Sequence, residues 1–103
     1  MQPDFPKNIN AAIIKGSHKT DDKYINHVYN EFQETQKINN CKSGSCANLV
    51  MTLNDDVYIL NVGDSRAIGS RQAGAIAVDL SQDHKPSEES EFRRIEAAGG
   101  HIY

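Results

Sequence analysis

The stretch Asp56-Val57-Tyr58-Ile59-Leu60-Asn61-Val62 restricts the possible folds of this 103-residue chain more than any other. In a β-strand successive side chains point to opposite faces. Val57 and Ile59 then share one face, and Tyr58, Leu60 and Val62 share the other. The preceding run, residues 46–53, behaves alike: Leu49, Met51 and Leu53 oppose Cys46 and Val50. Strands that are apolar on both faces belong to a sheet covered on both sides. A chain this short is expected to hold too little material for that, and so to be a piece of something larger.

The remaining periodicity supplies the other elements. From about Lys7 to Gln36, residues Ile9, Ala12, Ile13, Gly16, Thr20, Tyr24, Val28 and Phe32 recur at steps of three and four, which predicts a long helix with one core-facing stripe. Gly16 marks either close packing or a break between two helices. Residues 37–45 read as a loop. Residues 46–53, 56–62, 66–71 and 75–80 then read as four short strands with tight connections, an antiparallel meander. Pro86 closes a polar loop, and Ser87 is placed to cap a helix that runs to about Ala98 and stops at Gly99-Gly100. His101-Ile102-Tyr103 looks like the start of a further strand. The expected class is α+β: helix, four strands, helix.

Composition narrows the partners. The chain is 38% hydrophobic and 24% charged with a net charge of −3, which gives one small domain and no basic footprint for nucleic acid. No apolar run is long enough to span a membrane, and the first residues lack the pattern of a secretory signal. Cys41 and Cys46 do not complete a zinc ligand set with His18, His27, His84 and His101. Two cysteines without a signal peptide are expected to stay reduced, in the cytoplasm or nucleus.

The strand at 56–62 runs directly into Gly63-Asp64-Ser65-Arg66. A glycine, a carboxylate, a hydroxyl and a guanidinium at a strand end form either a plain turn or a place for a metal or a phosphate. From spacing alone the plain turn is favoured, because turn aspartates usually bond their own backbone.

Read together, the motifs become specific. Ser43-Gly44-Ser45-Cys46-Ala47, then Gly63-Asp64-Ser65-Arg66, then Leu80-Ser81 with Asp83-His84-Lys85-Pro86, then Glu91, Arg94-Ile95 and Ala98-Gly99-Gly100 are collinear. In that order and spacing they resemble the middle of a protein phosphatase 2C-type (PPM family) domain. The first forty or so residues match only as an amphipathic helix in the right place. The resemblance implies two antiparallel sheets packed as a sandwich with helices on both outer faces, of which this chain is a fragment. It also implies metal-dependent hydrolysis of phosphoserine and phosphothreonine in phosphoprotein substrates. The cofactor is magnesium or manganese: paired divalent cations lower the pKa of a bridging water and neutralise charge on the phosphoryl oxygens.

By that resemblance Asp64 matches an aspartate that ligates a peripheral metal. It is the one metal-ligand candidate, and no residue of the chain is assigned a catalytic role. Ser65 is expected to be structural and Arg66 an ion-pair partner, since the family's phosphate-binding arginine lies upstream. His84 and Lys85 are expected to order a loop, and Cys46 to be a small buried residue. The core metal-ligand motifs of the family, an early acidic pair, an Asp-Gly-His-Gly type motif, a later Asp-Gly and a late Asp-Asn, have no counterpart in context. Residues 1–103 are therefore expected to be an internal segment of a phosphatase domain, inactive alone. Met1 is then an internal methionine or the start of a truncated gene model. The alternative is a non-catalytic pseudophosphatase or remnant that acts by binding.

Overall fold

The computed structural model describes residues 5, 7–37 and 43–103. They fall into two units, Met1–Gly44 and Ser45–Tyr103. Cys41 and most of the loop read at 37–45 lie outside the described residues.

The first unit is built on helix α1, Ile9–Thr35. Asn8 caps it: its Oδ1 accepts the Ala11 amide at 3.0 Å, which satisfies one of the free N–H groups of the first turn. At the other end Gln36 adopts a left-handed conformation, and its amide returns to the Phe32 carbonyl at 2.8 Å. The helix passes Gly16 without a break. Ser17 and Thr20 return their hydroxyls to the carbonyls of Ile14 and Gly16, as such residues do inside helices. Of the predicted stripe, Ala12 is buried and Ile9, Ile13, Gly16, Val28 and Phe32 are partly covered, whereas Thr20 and Tyr24 stay exposed. The Tyr24 hydroxyl donates to the Ser43 carbonyl at 3.3 Å.

The second unit is α+β. Strands β1 (Ala47–Leu53) and β2 (Asp56–Val62) form an antiparallel hairpin, with Ala47 opposite Val62 and Leu53 opposite Asp56. Asn54 turns the corner at φ 54°, a left-handed conformation that asparagine tolerates. Strands β3 (Ile68–Arg71) and β4 (Ile76–Asp79) form a second hairpin, joined by a 3-10 turn at Gln72–Gly74. The four strands thus divide into two two-stranded sheets, with β2 and β3 in different sheets. The reason lies at 63–67: these residues turn toward the 80–84 loop and bond to it instead of continuing a ladder.

Helix α2 spans Glu89–Ala97. Glu88, not Ser87, stands at its N-cap and makes no side-chain capping bond. Pro86 explains the shift. It sets up a turn in which the Glu88 amide bonds the Lys85 carbonyl at 2.9 Å, so Ser87 is spent inside that turn. The helix ends as the glycines suggest. Gly99, at φ 81°, bonds Glu96, and the Gly100 amide reaches the Ile95 carbonyl at 2.9 Å, the paired bonds of a Schellman motif. His101–Tyr103 is not a strand, because none of the four strands pairs with it.

The register confirms the two-sided pattern. Leu49 and Leu60 face each other on one side of the first hairpin, and Val50 and Ile59 on the other. Both sides are open: Leu49 and Val62 are 47% and 48% exposed on one, Val50 and Val57 53% and 58% on the other. Among the described residues only Ala12 and Ala67 are buried. A chain with so little apolar surface removed from water has little to offset its conformational entropy. In urea, the isolated 103-residue chain should unfold over a broad, shallow transition, or self-associate through its open strand edges. A sharp transition from a soluble monomer would show that the chain needs no further cover.

Candidate functional site

The Gly63–Ala67 segment leaves β2 and is held from several directions. Gly63 has φ 104°, which L side chains rarely adopt. A Cβ there would lie 2.4 Å from Cys46 Sγ and 2.9 Å from Cys46 Cβ. Cys46 precedes β1, and the Ala47–Val62 pairing brings it beside Gly63. Glycine is thus required twice, by backbone conformation and by space.

Asp64 follows, exposed, with its carboxylate at the turn. Cys46 Sγ donates to its Oδ1 at 3.2 Å. A short anionic side chain at a braced turn offers a hard oxygen donor suited to one position on a divalent cation. It is one donor group only. Among the described residues no three His, Cys, Asp or Glu side chains come together to hold a metal. Among the described residues Asp64 therefore stands at this turn as one carboxylate, without a ligand cluster around it.

Behind the turn lies an amide network. Asn48 and Asn61 stand opposite each other across the hairpin, and Asn48 Nδ2 donates to Asn61 Oδ1 at 2.8 Å. Asn61 Nδ2 donates to the carbonyls of Gly63 at 3.1 Å and Gln82 at 2.7 Å. The His84 amide adds a second donor to the Gly63 carbonyl at 2.9 Å. Farther along, the Leu80 amide bonds the Ala67 carbonyl and Ser81 Oγ accepts the Ala67 amide. The 80–84 loop is therefore fastened to the 61–67 segment by backbone and side chain alike.

Arg66 adds the charged fastening. Its Nε and a terminal nitrogen each meet an Asp83 oxygen at 2.9 Å, a bidentate fork, and Lys85 joins at 3.3 Å. The Asp83 side chain is 12% exposed. Arg66 is thus an ion-pair partner, as expected, and is not free to clamp a phosphate. Lys85 supports the same carboxylate, and the His84 backbone anchors Gly63, so both order the loop. A polar recess of about 360 Å³ beside them is lined by Arg66, Asp79, Gln82, Asp83, Lys85 and Glu88 among others. Carboxylates outnumber cations there, which disfavours an anionic ligand.

The fork has a pH signature. Arg66, then Lys85, holds the Asp83 carboxyl at about 2, below its ordinary 3.8, against the opposing effect of burial. A depressed carboxyl contributes stability above its ordinary value, and that contribution is lost as pH falls toward about 2. A carboxyl-carbon NMR titration should find the Asp83 midpoint near 2, and Arg66→Met should return it toward 3.8. A wild-type midpoint already near 3.8 would mean that the fork does not form in solution.

One expected residue is placed differently. Cys46 is a free, exposed thiol, not a buried one. It precedes the first ladder pair of a hairpin with open faces, and its sulfur is engaged at the exposed Asp64 turn. Ser65 is exposed in that turn. Sequence reasoning missed Asn61, Asn48 and Gln82. A signal existed: Asn61 is the polar residue that interrupts the apolar run 57–62, and Asn48 has the same place in β1.

Comparison with known proteins agrees with the motif order. The chain is 43% identical over 100 residues to "Probable protein phosphatase 2C 69" of Arabidopsis thaliana, covering 97% of this chain and 25% of that protein. It is 39% identical over 98 residues to "Probable protein phosphatase 2C 52" of Oryza sativa subsp. japonica, covering 95% of this chain and 18% of that protein. It is 38% identical over 100 residues to "Probable protein phosphatase 2C 59" of Arabidopsis thaliana, covering 97% and 29%. The chain thus spans less than a third of the length of these relatives. No solved structure matches it. The sequence model of the family described as "Protein phosphatase 2C" matches residues 2–103, including the helical region where the motifs are weakest, and the chain belongs to that family.

Proposed function

We propose that this chain is an internal segment of a metal-dependent protein serine/threonine phosphatase. The complete domain would hydrolyse phosphoserine and phosphothreonine in phosphoprotein substrates with Mg2+ or Mn2+. When bound, the metals supply an activated water and charge neutralisation at the phosphoryl group. This segment contributes one ligand, Asp64, and the scaffold that fixes it. The observation carrying the reading is the placement of Asp64, in a chain of this family: an exposed carboxylate on a turn braced by Cys46, Asn61 and the 80–84 loop. A turn that served only to reverse the chain would not need such bracing.

The test compares two proteins on a phosphoserine peptide with millimolar Mn2+, with and without chelator. A complete phosphatase 2C polypeptide carrying residues 1–103 should turn over the peptide, and chelator should abolish turnover. The isolated chain, with its single carboxylate at the turn, should show none. Chelator-sensitive turnover by the isolated chain would refute the internal-segment reading. A complete polypeptide that binds the peptide without hydrolysing it would favour the pseudophosphatase alternative.

A further inference from the structure

We propose that Asn61 is the positioning residue for Asp64, acting through the Gly63–Asp64 peptide; the proposal rests on the reading of Asp64 as a metal ligand. Gly63 is the weak point of the turn, because glycine leaves its own backbone rotations cheap. The Gly63 carbonyl and the Asp64 amide belong to one planar peptide. Whatever fixes the direction of that carbonyl fixes the direction in which the chain enters Asp64. Two donors converge on it, Asn61 Nδ2 at 3.1 Å and the His84 amide at 2.9 Å.

Asn61 does more than donate once. Its second N–H reaches the Gln82 carbonyl at 2.7 Å, so one side-chain amide joins the turn to the loop that carries His84. Both partners are carbonyls, which only accept, so the group facing them is the NH2 and not the oxygen. The oxygen is then turned toward Asn48 Nδ2, at 2.8 Å, which sets the rotation of the Asn61 side chain. Asparagine is a poor strand residue, and apart from Asn48 opposite, its nearest neighbours on this face, Val50 and Ile59, are apolar. Directional bonds to the turn account for an amide in that position. At the far end of the relay, Cys46 Sγ holds Asp64 Oδ1.

The experiment uses a complete phosphatase 2C polypeptide carrying residues 1–103. Asn61→Asp keeps the shape and the acceptor for Asn48, but it sets a carboxylate oxygen against two carbonyls. Backbone amide exchange over residues 62–66 should quicken, and the Mn2+ concentration for half-maximal turnover should rise about tenfold, the lower end for groups that orient metal ligands. Asn48→Ala removes only the bond to Oδ1 and should shift both readouts the same way by less; it serves if Asn61→Asp fails to fold. A lowered melting temperature with an unchanged Mn2+ requirement would mean that Asn61 is merely structural, and would overturn the proposal. Unchanged exchange and Mn2+ requirement in both variants, with Asp64→Asn still raising the requirement, would also overturn it while leaving Asp64 in place. An Asp64→Asn protein with the wild-type requirement would remove the metal reading, and the role of Asn61 with it.

Discussion

Gly63→Ala, in a complete phosphatase 2C polypeptide carrying this segment, should cost about 2–4 kcal/mol of stability. That lowers the melting temperature by roughly 5–15 °C for a domain of ordinary size. Two separate terms contribute. Alanine at φ 104° is strained whatever surrounds it. The new methyl also meets Cys46 Sγ at 2.4 Å, Cβ at 2.9 Å and Cα at 3.3 Å. A rotamer change could move the sulfur, but the Cβ and Cα move only with the backbone of the Ser45–Ala47 segment. The double variant Cys46→Ala/Gly63→Ala separates the terms. It removes the sulfur contact and leaves the strain and the Cβ contact, so it should recover part of the loss and not all of it. Stability within about 0.5 kcal/mol of wild type for the single variant would place Gly63 at an ordinary surface position.

Much of this arrangement was legible in the sequence, for identifiable reasons. Period-two alternation over 46–53 and 56–62, with a two-residue Asn-Asp turn between, predicted adjacent antiparallel strands, and the hairpin from Ala47 to Val62 is one. Pro86 and the Gly99-Gly100 pair bounded the second helix because each has few allowed conformations. Asp64 stood out through its motif, and the fork between Arg66 and Asp83 agrees with the role assigned to Arg66. The misses have two causes. The shift of the cap from Ser87 to Glu88 is local, set by the turn at Pro86 that the Lys85–Glu88 bond closes. The division into two hairpins and the exposure of Cys46 depend on contacts between segments distant along the chain. The Asn61 relay depends on them most, since its partners at 48, 63 and 82 come together only once the hairpin and the loop are in place. Local pattern marks Asn61 as odd and cannot say what it bonds.

Asp64 is the residue through which this segment would reach a metal. Asn at this position keeps the shape and one carbonyl oxygen but removes the charge that a hard cation requires. If Asp64 were only a turn former, Asn would serve nearly as well, because it favours the same turns. Substitution at an exposed turn rarely costs more than about 0.5 kcal/mol, so a folding defect will not mimic a metal effect. Loss of an anionic ligand is expected to weaken a divalent site by at least about tenfold, as loss of supporting groups around a metal commonly does. The decisive measurement is the Mn2+ dependence of phosphopeptide turnover for the wild-type and Asp64→Asn forms of a complete polypeptide, with melting temperatures taken alongside. A curve displaced to higher Mn2+, with lower turnover and an unchanged melting temperature, is the predicted result; superimposable curves at every Mn2+ concentration would contradict it.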